Sequence, residues 1–385
     1  MSQARDAALA IWRAALAAAE AAPLVKRALR LDAEILRAGT LAFPLAPGAR
    51  VFVLGCGKAG GAMAAAVEEI LGDRIGGGFV VVKDGHAVPT RRIGVAEAGH
   101  PVPDARGVAA STRLLELAAA AREGDFVLVL ISGGGSALTP APAPRVTLEE
   151  KQALTRMLLA SGATINELNA VRKHLSRFKG GLLARAAAPA TVVTLILSDV
   201  IGDPLDVIAS GPTAPDPTTF DDAIRILKAR HVWDRVAETV RARLEAGAAD
   251  QIEETPKRDD AVFARVTNIV IGNNALVVDA AAAAAEDLGY RAHVLTTALE
   301  GEARDVAGRL LERARVLDPP ACLLAGGETT VTVRGGGRGG RCQELALAAA
   351  LELRVDESLV ALAAGTDGTD GPTDAAGAVV EATTV

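Results

Sequence analysis

Two apolar runs that end in glycine turns constrain this chain more than any other feature. Arg50-Val-Phe-Val-Leu54 leads into Gly55-Cys-Gly-Lys-Ala-Gly60, and Asp125-Phe-Val-Leu-Val-Leu130 leads into Ile131-Ser-Gly-Gly-Gly-Ser136. Apolar runs without polar alternation read as strands buried on both faces, as in parallel sheets covered by helices. Glycine costs backbone entropy, so glycines gathered at strand ends point to a tight turn or to close approach of backbone to an anion. Residues 50–84 complete a βαβ unit, with a helix over Ala62–Leu71 and a strand over Gly78–Val82. G-x-G-x-x-G is the dinucleotide-binding pattern, and Asp84 stands where an acid would meet a ribose. Lys58 departs from that pattern, because a long cation inside the turn suits a phosphate or carboxylate. It is not a Walker A lysine, since Ala59 stands where a magnesium-binding hydroxyl is required.

Composition narrows the function classes. Half of the 385 residues are hydrophobic, yet no apolar run approaches the ~20 residues that cross a bilayer. The expectation is a soluble, cytoplasmic protein with no membrane partner. A net charge of −6 and a 3% aromatic share offer neither a basic footprint nor stacking surfaces, so no nucleic-acid partner is expected. Cys56, Cys322 and Cys342 are too scattered for a disulfide framework or a metal pair.

Along the rest of the chain, residues 4–38 read as two helices, the second opened by Pro23. His100, in the proline-bound loop Gly99-His-Pro-Val-Pro-Asp104, reads as structural, with a ligand or base role as the alternative. Thr147 and Thr164 begin helices, the first with a capping-box pattern. Asn169 and Arg172 share a face of the second, beside Lys173, and Lys179-Gly-Gly181 follows. The β-branched run Thr191–Leu197 ends in Ser198-Asp199. Carboxylates at strand C-terminal ends line the ligand crevice of open α/β sheets. Asp199 is therefore the first choice for a general base or Mg²⁺ ligand and Asp203 the second, with a helix cap as the alternative. Helices follow over 219–230 and 233–246, and then a polar linker.

A second α/β pattern then begins, with strands over 268–272, 292–296 and 321–325 and helices over 274–288 and 302–316. Glu328 follows two glycines at the start of a hairpin strand. The run Gly335–Gly340 with Arg338 and Arg341 opens a helix over 343–353, which signals an anion site. After a strand over 359–363, Asp367, Asp370 and Asp374 resemble a calcium loop only loosely.

Jointly these motifs resemble the glycerate 2-kinase family that carries a MOFRL C-terminal domain. They are Gly55–Gly60, Gly99–Asp104, Ser132–Ser136, Asn169–Ser176 with Lys179–Gly181, Leu197–Val200, Ala209–Thr213, Gly326–Thr330, Gly339–Glu344 and Gly365–Asp374. The resemblance implies an α/β protein of two domains with the active-site cleft between them. The N-terminal domain, 1–247, would be Rossmann-like, a parallel sheet with helices on both faces. A linker over 248–265 would lead to a smaller C-terminal domain, 266–385, with a mixed sheet. It implies ATP, Mg²⁺ or another divalent cation, and phosphorylation of D-glycerate at its 2-hydroxyl to give 2-phosphoglycerate and ADP. The alternative is an NAD(P)H-dependent hydroxypyruvate reductase, and a homodimer is compatible with either. By matching, Lys58 and Arg341 are the catalytic cations, and Asp199 is the catalytic carboxylate and candidate metal ligand. Substrate or nucleotide would meet Gly55, Gly57, Gly60, Ser132, Gly133, Gly134, Gly135, Ser136, Asn169, Arg172, Glu328, Asp367 and Asp370. The family usually has Asn where this chain has Cys342, and it usually runs on past position 385, so its last strands are expected to be missing here.

Overall fold

The computed structural model describes residues 3–385. Its main sheet contains β1 (Val51–Cys56), β2 (Ile75–Lys83), β3 (Gly94–Ala98), β4 (Phe126–Ile131), β5 (Thr191–Leu197) and β6 (Val266–Gly272). The spatial order is β3-β2-β1-β4-β5-β6. Parallel ladders join β1 to β2 and β4, β2 to β3, and β4 to β5. This is the doubly wound order, in which the crevice beyond the C-terminal strand ends at the reversal point receives ligands. The reversal lies between β1 and β4.

The unbroken apolar runs have the reason the sequence suggested. Successive side chains of a strand point to opposite faces. Val51, Val53, Leu128 and Leu130 enter one core, while Phe52, Leu54, Val127 and Val129 enter the other. The helix Gly60–Leu71 covers the first face with Met63 and Val67, and the helix Ala105–Ala119 covers the second with Ala110 and Leu114. A further helical group, 148–160, 165–174, 220–229 and 238–248, closes over Leu154, Leu158, Val171, Phe220, Leu227 and Leu244. Reciprocal capping boxes at Thr147 and Glu150 and at Thr164 and Glu167 start two of these helices.

The chain forms two compact units. One is Ala21–Ile271; the other combines the residues up to Glu20 with Gly272–Val385. These divisions differ from the expected ones at 247 and 266. The reason is that 248–265 is a packed strap of the larger unit rather than a linker. Glu254 accepts hydrogen bonds from His174 and from the N–H of Phe220, and Asp260 receives Arg185 and caps the turn at 261–265. β6 then joins the first sheet instead of opening the second domain.

In the smaller unit, β7 (Arg291–Leu299) and β8 (Ala321–Gly327) pair in parallel, and β9 (Val360–Ala364) and β10 (Gly377–Glu381) pair antiparallel. It thus holds two separate strand pairs rather than one mixed sheet, and the stretch after Glu328 forms no hairpin strand. Its helices are Asn274–Asp287, Ala303–Arg315, Arg341–Glu352 and Gln3–Ala18. The last packs Ile11 and Ala15 against Ala281 and Ala285.

Two helix expectations are corrected. Residues 29–38 belong to a three-stranded meander, Leu29–Asp32, Ile35–Ala38 and Leu41–Pro44. Leu36 and Ala38 are buried with Arg37 exposed between them, a period of two that the leucine content masked. The expected helix over 233–246 is a single turn at Trp233–Arg235 followed by Glu238–Ala248. Among the described residues, no single helix is long and apolar enough to cross a membrane.

Candidate active site

The ladder between β1 and β4 ends at Gly55 opposite Leu130 and Cys56 opposite Ile131, so both glycine turns leave the sheet side by side at the reversal point. They are bonded into each other. Lys58 donates its N–H to the Gly133 carbonyl at 2.9 Å, Ala59 donates to Ser132 Oγ at 3.0 Å, and Ser132 donates to the Cys56 carbonyl at 3.1 Å. Gly57 has φ of +132°, and a methyl group there would overlap Ser132 Oγ. No residue with a side chain fits such a contact without moving both turns.

This interlocking decides what the first turn can do. A dinucleotide turn offers its N–H groups to a pyrophosphate. Here the N–H groups of Gly57, Lys58, Ala59 and Gly60 all donate to protein, to Val81, Gly133, Ser132 and Gly57 respectively. The helix start behind them is also covered: a methyl on Gly61 would lie 2.7 Å from the His86 carbonyl oxygen. Asp84 is engaged by both terminal nitrogens of Arg106, at 2.6 and 2.9 Å. The first turn therefore offers the Lys58 side chain rather than a backbone cradle; Gly57 lets the turns interlock, while Gly55 packs against Leu130 and Val80 and Gly60 against Val82.

The second turn is the open one. Among the described residues, the N–H groups of Gly133 and Gly134 donate to no protein acceptor. A methyl on Gly134 would lie 2.9 Å from the His100 ring and 3.4 Å from Lys58 Cγ, and one on Gly133 would overlap Oδ2 of Asp199. Asp199 is exposed, two residues beyond β5. A lysine, an imidazole and a carboxylate thus surround two glycines that present two N–H donors. His100, which the sequence reading set aside, stands among them. Its signal was the proline-fixed loop that carries it.

Behind the turn, Ser136 Oγ lies 2.9 Å from Ser210 Oγ, which donates to Asn169 Oδ1 at 3.0 Å. Lys179 also donates to Ser136, through its Nζ to the carbonyl oxygen and to Oγ. Ser210 and Lys179 were absent from the expected site; the two glycines after Lys179 were the available signal. Arg172 is half-buried, and burial holds its guanidinium below its usual pKa. Its neighbour Lys173 is structural, with Nζ 3.2 Å from both Asp206 and Asp216, and neither Lys173 nor Asp216 is exposed. Removing one partner of a buried pair strands the other charge. Lys173→Met is expected to cost about 3–5 kcal/mol in urea unfolding; a loss below about 1 kcal/mol would show that the Asp216 charge is held by other groups.

In the smaller unit, Arg341 is the first residue of its helix, and its Nη1 donates to Glu328 Oε1 at 2.7 Å. Both residues are exposed. Asp370 is buried and accepts from the N–H groups of Cys342 and Gln343 at 3.0 and 2.8 Å, so it caps that helix. Asp367 accepts from the N–H of Thr369 at 3.4 Å. Burial, with Asp370 nearby, raises the Cys342 thiol to about 11, so the residue is a neutral thiol there. Among the described residues, no three His, Cys, Asp or Glu side chains cluster as a metal site.

The chain matches a family described as domain of unknown function DUF4147 over residues 7–245, and the MOFRL family over residues 321–385. A glycerate 2-kinase from Pyrococcus horikoshii is 46% identical over 87% of this chain and 76% of its own length. A protein of Agrobacterium vitis provisionally named a hydroxypyruvate reductase is 45% identical over 88% of this chain and 77% of its own length. The crystal structure of a glycerate kinase from Thermotoga maritima superposes with a TM-score of 0.84 at 42% identity, covering 98% of this chain and 86% of that one. With two interlocked turns at the reversal point of its larger unit, and these matches along its length, the chain belongs to the glycerate kinase family assembled from DUF4147 and MOFRL domains.

Proposed function

We propose that this protein transfers the γ-phosphoryl group of ATP to the 2-hydroxyl of D-glycerate. The hydroxyl oxygen forms a bond to the γ-phosphorus as the bond to the β–γ bridging oxygen breaks, which gives 2-phosphoglycerate and ADP. The hydroxyl proton passes to a carboxylate. The carrying observation is the arrangement of Lys58 and Asp199 on the open turn at Gly133 and Gly134. Phosphoryl transfer asks little covalent chemistry of a protein; it needs positioning and compensation of charge on the oxygens in transit. The two N–H groups and the Lys58 ammonium supply that charge, and Asp199 orients or deprotonates the hydroxyl. Ser132 locks the two turns together, while Gly135 and Ser136 start the short helix that follows. In the smaller unit Arg341, whose Nη1 is held by Glu328, brings a guanidinium for a carboxylate or phosphate.

Mg²⁺ usually keeps several waters and takes one or two carboxylates together with substrate phosphates. A single exposed carboxylate, Asp199, at the end of β5 fits such an ion. When bound, it would neutralise charge on the ATP phosphates.

The names carried by the Pyrococcus and Thermotoga proteins support the kinase reading. The reductase name is disfavoured by the consumed N–H groups of the first turn and by the paired Asp84. ADP release followed in a coupled assay should require D-glycerate. NADH with hydroxypyruvate should give no turnover. Consumption of NADH without ADP formation in the first assay would replace the kinase reading with the reductase.

A further inference from the structure

Lys179 is 2% exposed, and its Nζ reaches the Ser136 carbonyl oxygen at 2.7 Å and Ser136 Oγ at 3.1 Å. The hydrogen-bond chain beyond it has one direction. Ser210 gives its proton to Asn169 Oδ1, so the proton between Ser136 and Ser210 belongs to Ser136. Ser136 Oγ must then accept from Lys179 and has no proton left for a ligand. Ser210, fully buried, is held at φ of +62° after Ala209 at +50°. Consecutive non-glycine residues in the left-handed region cost energy and persist only where their surroundings over-determine them. The network is therefore built to hold Ser136, and with it the end of the open turn.

The ionisable groups that act on Lys179 are Arg172 from the helix 165–174 and Cys56 from β1. Lys151, from the helix 148–160, is a further lysine in the same surroundings, its own amine pushed well down by burial. Gly180 beside it abuts Asp216, which is already paired with Lys173. Cys56 is a neutral thiol, raised by burial to about 11. Burial, reinforced by Arg172, pushes the Lys179 ammonium down to about 7.

We propose that Lys179 is a positioning residue of the open glycine turn. It holds Ser136 by two hydrogen bonds and takes up a proton when an anion occupies the turn, so that anion affinity follows pH through this one amine. The inference rests on the anion-binding reading of the turn and not on the reaction. An anion near the amine favours its charged form, so the bound-state pKa lies above the free-state value of about 7. Below the free-state value the amine is already charged and no proton moves. Between the two values binding takes up a proton, and affinity falls as pH rises. Each unit of separation corresponds to about a tenfold loss of affinity.

The test is isothermal titration calorimetry with ATP, and separately with D-glycerate, in buffers of different ionisation enthalpy near about pH 6 and about pH 8. Subtracting the Lys179→Met variant removes protonation of the ligand itself. At least one ligand should bind the wild type with extra proton uptake at the higher pH and none at the lower. Lys179→Arg, permanently charged, should restore affinity at the higher pH with no uptake. A ¹³C-lysine NMR titration of the wild type gives the amine's own pKa without any variant. Equal uptake in wild type and variant, or a Lys179 resonance that titrates near the ordinary ~10.4, would overturn the proposal. ADP formation without proton uptake would remove this inference alone. Proton-coupled binding without ADP formation would remove the kinase reading alone.

Discussion

Replacing Asp199 with Asn is expected to lower kcat by about 10²–10⁴-fold while leaving KM within a few-fold. The change preserves size and removes the charge. Asp199 stands just past the end of β5 with Oδ2 against the Cα of Gly133, the residue before Gly134, which Lys58 abuts. On the proposed reaction, a carboxylate so placed would serve either the substrate hydroxyl or a cation on the phosphates. The two duties separate in the metal dependence. A proton acceptor lost to Asn leaves the Mg²⁺ requirement unchanged. A metal ligand lost to Asn raises that requirement and is relieved by excess Mg²⁺. Near-normal kcat at ordinary Mg²⁺ would remove Asp199 from the chemistry and leave it as a loop residue.

Lys58→Met is expected to reduce kcat/KM by roughly ten- to a hundred-fold, the worth of a charge-assisted hydrogen bond of ~1.5–3 kcal/mol. Methionine keeps an unbranched stem beside Gly134, so the packing near His100 survives and the loss reports the ammonium. The N–H groups of the first turn are spent on Ser132, Gly133 and Val81, so nothing else in that turn can compensate. Lys26→Met is the control. Lys26 is an exposed cation paired with Glu69, and surface pairs contribute about 0–1 kcal/mol. Its kinetics should match the wild type. Wild-type kinetics for Lys58→Met, with circular dichroism showing both variants folded, would remove Lys58 from the chemistry.

The first sheet was legible because its signals are local. An apolar run followed by glycine names a buried strand and its turn, and Val51–Cys56 and Phe126–Ile131 fall where the pattern puts them. The capping box at Thr147 and the cap at Thr164 were equally readable, since cap and partner lie three residues apart. What was not legible depends on distant partners. No local feature tells that Val266–Gly272 pairs into the first sheet, or that Glu254 bonds His174 across 80 residues. The Leu29–Ala38 segment misled because leucine and alanine suit helices, while burial of alternate residues decided for a strand.

The site divides in the same way. The glycines, Lys58 and Asp199 were named from the turns and strand ends that carry them and from the family resemblance, and the larger unit brings them together. The dinucleotide resemblance of Gly55–Gly60 held in spacing, but the turn's N–H groups are used internally, which spacing cannot show. Lys179 and Ser210 lie in the segments Lys179–Gly181 and Ala209–Thr213 that the sequence singles out, but only the fold reveals a buried amine and a strained serine on one hydrogen-bond chain.

The central claim is that the open turn moves a phosphoryl group onto glycerate, and its most direct test is the identity of the product. Purified protein incubated with ATP, Mg²⁺ and D-glycerate and followed by phosphorus NMR should show 2-phosphoglycerate and ADP growing in equal amounts. Resonances of 3-phosphoglycerate in place of 2-phosphoglycerate would contradict the assigned hydroxyl, and an unchanged ATP spectrum would contradict the kinase.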